Sequence, residues 1–246
     1  NMLNGSRRQT LIRPDNTSMT TVYDNGSMTS TAPTGAVATS SEAPDPRFGL
    51  VAGIPSVTVQ NTPGGLTLTS TGAETAVLLD PNDPFSLVTL TNAVVTNGRT
   101  DQSVYDAATK TFTVTSAGGR TSSTTIDSLG RPVEEHITGL EGAYATYDGR
   151  GRVATVTSGS GGSARTTTFA YNAAGYLASV TDPLGRVVSF EYDLSGRVSK
   201  QILPDLREIV FTYDADGNVL TLTPPGKPAH AFAYNEVGQV VSYTPP

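Results

Sequence analysis

Residues 186–219 read RVVSFEYDLSGRVSKQILPDLREIVFTYDADGNV, and within them YDLSGRV (192–198) returns 21 residues later as YDADGNV (213–219). In both copies Asp follows Tyr, and Gly stands four residues after Tyr. Asp at the first position of a type I turn accepts backbone N–H bonds, and Gly at the fourth takes positive φ without a Cβ clash. A type I turn closed by a left-handed residue is a common hairpin connection with a bulge. The run before each Tyr alternates. Arg186, Val188, Phe190 and Tyr192 share one face, and so do Ile209, Phe211 and Tyr213, which is the period of a strand. A second turn, Asp182-Pro183-Leu184-Gly185, has Pro second and Gly fourth, again type I chemistry. It recurs at Pro204 and at Pro224-Pro225-Gly226. One repeat is therefore two strands and two turns.

Outward from this stretch the register holds over seven segments, opening at Tyr105, Ile126, Tyr147, Tyr171, Tyr192, Tyr213 and Tyr234. All the spacings are 21 residues except the 24 between Tyr147 and Tyr171, where SGSGGS (158–163) inserts a flexible loop. Gly130, Gly151, Gly175, Gly196, Gly217 and Gly238 hold the turn position, while YDAATKT (105–111) has Lys110 near it. Phe169/Tyr171 and Phe232/Tyr234 extend the aromatic columns. If units stack in register, the aromatics form ladders of neighbouring rings. The return strands GYLASV, GRVSKQ, GNVLTL and GQVVSY alternate less cleanly and assign no inner face.

The rest of the composition agrees. The chain has 246 residues, 37% hydrophobic, with 25 Gly, 16 Pro and abundant Thr, and no apolar stripe runs at helical period over three turns. AETAVLL (73–79) is the one stretch that tempts a helix, and it stops at DPNDP (80–84). The expectation is all-β: repetitive antiparallel hairpins in a curved or spiralling, solenoid-like sheet, which needs less interior per residue than a compact core. A net charge of −6 with scattered Arg argues against a nucleic-acid surface. Absence of Cys excludes disulfides and thiolate chemistry. No apolar run approaches ~20 residues, so no membrane span is expected. The opening NMLNGSRRQT has no signal-peptide core and reads as a cut through a longer chain.

At this point the chain resembles the RHS, or YD-repeat, proteins. Tyr-Asp-x-x-Gly-Arg-Val stands at 147–153 and 192–198, and TDPLGRV (181–187) is similar to the family's companion turn. RPDNTSMTTVYDNGSMTSTAPTG (13–35) aligns internally with LPDLREIVFTYDADGNVLTLTPPG (203–226), Pro nine residues before Tyr in both, with a shortened turn at Asn25-Gly26. The expected organisation is a YD-type unit over 1–35, a diverged β segment over 36–97, and about seven units over 98–246. The resemblance implies a sheet that spirals into a hollow shell. In bacterial toxins that shell encloses a C-terminal toxic domain; in teneurins it is part of an adhesion receptor. YD repeats have also been linked to carbohydrate binding. The family's self-cleaving core has paired aspartates, and this chain shows no convincing match to it.

The expected function is therefore a non-catalytic wall segment of a secreted or surface bacterial protein. Its implied partners are the rest of the shell and an enclosed toxin or effector, and no cofactor is expected. The alternative is an adhesive or glycan-binding module. Open sheet edges would allow self-association.

Other candidates have plain readings. His136, after Glu134-Glu135, reads as a surface histidine, and His230, two before Phe232, as a ladder member. Asp214, Asp216 and Asn218 have turn spacing, not that of a calcium loop, and Asp80-Pro81-Asn82-Asp83-Pro84 is a second acidic turn. Arg131, Arg152, Arg186, Arg197 and Arg207 form either an anion- or sugar-binding row or a set of cross-strand ion pairs. Asn4, Asn16 and Asn25 head glycosylation sequons. No nucleophile–base pair suggests an enzyme.

Overall fold

The computed structural model describes residues 6–15, 17–24 and 26–246; the three sequon asparagines, and with Asn25 part of the shortened turn, lie outside them. The chain divides into two units, one ending at Leu140 and one beginning at Glu141. In the first unit the strands are β1 Arg7–Ile12, β2 Ser18–Asp24, β3 Ser27–Thr31, β4 Val37–Asp45, β5 Gly49–Asn61, β6 Thr67–Leu78, β7 Leu87–Thr96, β8 Arg99–Asp106, β9 Thr111–Thr115, β10 Thr121–Ile126 and β11 Pro132–Ile137. Each pairs antiparallel with the next. In the second unit they are β12 Ala143–Tyr147, β13 Val153–Ser158, β14 Arg165–Tyr171, β15 Leu177–Thr181, β16 Val187–Tyr192, β17 Val198–Ile202, β18 Glu208–Tyr213, β19 Val219–Thr223, β20 His230–Tyr234 and β21 Val240–Thr244. These too pair antiparallel in chain order. The all-β expectation stands. The SGSGGS insertion forms the one short 3-10 turn among the described residues, Gly161–Ser163, and the helix-like AETAVLL lies in and just beyond β6.

No described apolar side chain is fully buried. Within each unit, backbone ladders and half-buried side chains supply the cohesion. Alternation therefore separates a half-covered face from a more open one: β16 and β18 both read exposed, three half-buried, exposed, half-buried.

One expectation needs correction. The aromatic strands are every second strand, so Phe190 pairs with Gln201 and Phe211 with Leu222 rather than with one another. Strands lie ~4.8 Å apart, which puts successive Tyr strands ~10 Å apart, beyond ring contact. The aromatics form columns that skip a strand. The weak alternation of the return strands also has a cause. In six hairpins the pairing shifts just before the Tyr position, as in Glu191↔Lys200 followed by Tyr192↔Val198. One extra residue on the return strand makes a bulge, and a bulge reverses the alternation that follows it.

Candidate functional site

The repeated corner is the feature with the most chemistry. At residues 193–197 the N–H of Gly196 donates to the carbonyl of Asp193 over 3.0 Å, and the N–H of Asp193 to the carbonyl of Arg197 over 2.9 Å. Asp193 Oδ1 accepts from the N–H groups of Ser195 (2.9 Å) and Arg197 (3.0 Å). Its Oδ2 accepts from Arg197 Nε at 2.8 Å, with Nη2 also 2.8 Å away. Asp and Arg thus close the turn as a two-pronged pair, the geometry that favours Arg over Lys. The same arrangement stands at Asp127/Arg131, Asp148/Arg152 and, in the companion turn, Asp182/Arg186. Arg207 instead pairs with Asp205 two residues back. The arginine row is thus held by local acids of its own turns, not by the cross-strand pairs expected.

The six turn glycines have φ of 78° (Gly130), 81° (Gly151), 97° (Gly175), 80° (Gly196), 94° (Gly217) and 73° (Gly238). Lys110, in the divergent first segment, takes φ 55°. Leu206 takes φ 65° where the companion turn at 182–186 has Gly185.

Each repeat-opening tyrosine after the loop insertion reaches into the preceding repeat. The hydroxyls of Tyr171, Tyr192, Tyr213 and Tyr234 donate to the carbonyls of Val153, Leu177, Val198 and Val219 over 2.9, 2.8, 2.7 and 3.0 Å. The physical reason is the ladder between repeats. That between β15 and β16 begins only at Ser179↔Ser189 and that between β17 and β18 at Lys200↔Val210. The carbonyl at the start of each return strand is left beyond the ladder, and the hydroxyl satisfies it. Arg152 then lies over the ring of Tyr171, 4.1 Å from its centroid, and Arg197 over Tyr213 at 4.6 Å. Nη1 of each donates onward, to Gly175 O at 3.1 Å and Asp214 O at 2.9 Å. Where the repeat has Tyr176 instead of Arg, its ring stacks on Tyr192 at 4.9 Å. In these three pairs the ring-covering residue comes from the repeat before. Tyr105 packs on Phe112 at 4.5 Å, and Tyr147 closes β12 half-buried.

The field at the corners favours ionised carboxylates. The Arg152 side chain, then the Arg152 backbone N–H, bring Asp148 down from 3.8 to about 2. Asp127 and Asp193 are lowered first by the backbone N–H of Arg131 and Arg197, and Asp214 first by the Asn218 side chain. Burial raises Tyr192.

Among the other candidates, Asp214 accepts Asn218 N at 2.8 Å and Nδ2 at 2.9 Å, as a turn residue does. Asp80 and Asp83 accept from Asn82 N and Phe85 N, both 2.9 Å, within their own loop. His136 Nε2 is 2.8 Å from Glu134 Oε1. His230 lies parallel to Tyr243, with Nδ1 2.6 Å from the Tyr243 hydroxyl. Among the described residues, no helix is long and apolar enough to cross a membrane.

A family model described as Teneurin YD-shell matches residues 4–246. No curated protein matches in sequence at a significant level. Solved structures do match in fold. The crystal structure of TcdB2-TccC3-Cdc42 superposes with TM-score 0.63 at 14% identity, over 95% of this chain and 13% of that one. The Photorhabdus luminescens Tc holotoxin pore gives 0.62 at 12% identity, over 95% and 13%. TcdB2-TccC3 without its hypervariable C-terminal region gives 0.58 at 13% identity, over 96% and 13%. The chain thus spans about an eighth of the length of these relatives.

Proposed function

The chain belongs to the teneurin YD-shell family, and from that premise we propose that it is a length of shell wall whose role is containment of a C-terminal toxin or effector domain in a secreted or surface-exposed bacterial protein. The observation that carries this reading is the seam between repeats. Tyr hydroxyls, guanidinium groups laid over the next ring, and a short ladder tie each repeat to its successor. These contacts are local and repeat along the chain, so the wall can lengthen by adding units. Among the solved structures with a similar fold, one is a Tc holotoxin pore and another, TcdB2-TccC3, was solved without a hypervariable C-terminal region, which supports the enclosed-cargo reading. The arginines on which a sugar-binding row would rely are held by Asp.

Limited proteolysis of the full polypeptide that carries these residues tests containment. Any domain that follows the repeats should resist protease while the wall is intact. It should become cleavable when the double change Arg152→Ala and Arg197→Ala loosens the seam. A following domain digested at the same rate in both forms would overturn the proposal.

A further inference from the structure

In the antiparallel meander of the second unit, successive turns alternate between two rims of the sheet. One rim carries the corners at 148–152, 172–176, 193–197, 214–218 and 235–239. The other carries the loop insertion, closed by Arg165, and the companion turns at 182–186, 203–207 and 224–229. Neighbouring turns on one rim are two strands, ~10 Å, apart. On this second rim Leu206 takes φ 65°, where Gly185 has φ 77° in the turn before. A bulky side chain in the left-handed region is strained, and Leu206 is also 81% exposed. Folding gains from neither. Leu184, at the tip of the turn before, is 76% exposed. Two apolar side chains thus project from adjacent turns of one rim, one of them held there against its backbone preference. Strain kept at such an exposed position points to function.

The charge of the rim points to the partner. Its turns carry Arg165, Arg186, Arg207 and Lys227 against Asp182 and Asp205. The corner rim has the opposite balance, five acids against three arginines. Asp182 and Asp205 pair with Arg186 and Arg207, whose side chains stay mostly exposed, and exposed pairs of this kind hold weakly. Arg165 and Lys227 are exposed and join no ion pair among the described residues. Cations therefore stand in a row along this rim, with the two leucines between Arg165 and Lys227, on a chain whose net charge is −6. Protruding apolar tips flanked by cations suit a fluid apolar layer beneath anionic head groups better than the fitted pocket of a protein.

We propose that this rim of the second unit docks on an anionic lipid surface. Leu184 and Leu206 enter the head-group layer, and Arg165, Arg186, Arg207 and Lys227 meet the anionic groups of the lipids. The surface lies wholly in the second unit and is independent of the containment reading.

The test is flotation of the whole chain with vesicles of phosphatidylcholine alone, or of phosphatidylcholine and phosphatidylserine in equal parts. The expected result is flotation with the mixed vesicles only, weakened by added salt. Apparent affinity should fall at least about tenfold for Leu184→Ser combined with Leu206→Gly, and likewise for Arg165→Glu combined with Lys227→Glu. Leu206→Gly puts into this turn the residue type that its neighbour has at Gly185, so the strands should persist, which circular dichroism checks for every variant. Leu194→Ser, on the opposite rim, should float as the native chain does. No flotation with the mixed vesicles, equal flotation with phosphatidylcholine alone, or native flotation by either folded double variant would each overturn the proposal.

Discussion

At the scale of the residue, corner glycines that look alike in sequence stand in different surroundings. Gly130 has φ 78° with open space where a Cβ would go, so Gly130→Ala should cost only the left-handed strain, ~1–2 kcal/mol. A Cβ on Gly196 would meet the Tyr176 hydroxyl and lie 2.6 Å from its Cζ. Gly196→Ala should therefore lower the thermal midpoint more than Gly130→Ala, and adding Tyr176→Ala should narrow that gap. Equal midpoints for the two single variants would contradict it. Although it lies in the flexible insertion, Gly161 also has φ 56° with open space around it, so Ala there should resemble Gly130→Ala. The corner carboxylates set an acid limit. Because folding lowers the Asp148 pKa from 3.8 to about 2, its stabilisation is complete above the unfolded value and lost as pH falls through the folded one. Thermal midpoints should hold from neutral pH to ~5 and then drop towards pH ~2, less steeply in Asp148→Asn. A native chain whose midpoint does not fall over that range would exclude this role.

At the scale of the element, the hairpin depends on contacts that the next hairpin completes. Tyr192→Phe removes the donor to Leu177 O and should cost ~1 kcal/mol. Native-state hydrogen exchange should show faster opening at the β15–β16 boundary than at β18–β19; uniform change would argue against a local seam. Arg197→Lys keeps the charge but loses the two-pronged bond to Asp193 and the cover over Tyr213, so it should loosen the seam nearly as much as Arg197→Ala. The strands, the turns and their 21-residue period were legible in the sequence, because Asx chemistry, Gly at positive φ and alternation are local. The bulge was not. It leaves no residue type behind, only an untidy alternation in GRVSKQ and its equivalents. The ring-covering role of Arg152 and Arg197 was equally hidden, since both reach the following repeat, where no spacing rule within one corner points.

At the scale of the whole molecule, each unit is a run of antiparallel ladders and not a packed core. With no described apolar side chain fully buried, unfolding exposes less new surface than in a globular protein of this length. The denaturant slope of the isolated chain should therefore fall below the value expected for 246 residues. A slope typical of a compact domain would show burial beyond these ladders.

The sequence by itself determined the strand class, the corners, their period and the family, because each rests on contacts between residues a few positions apart. Only the tertiary structure decided that tyrosine columns skip a strand and that Tyr hydroxyls satisfy carbonyls beyond the ends of the ladders. Those outcomes depend on which strand lies beside which and where each ladder stops. Such properties arise from pairing between distant segments, and no local pattern records them.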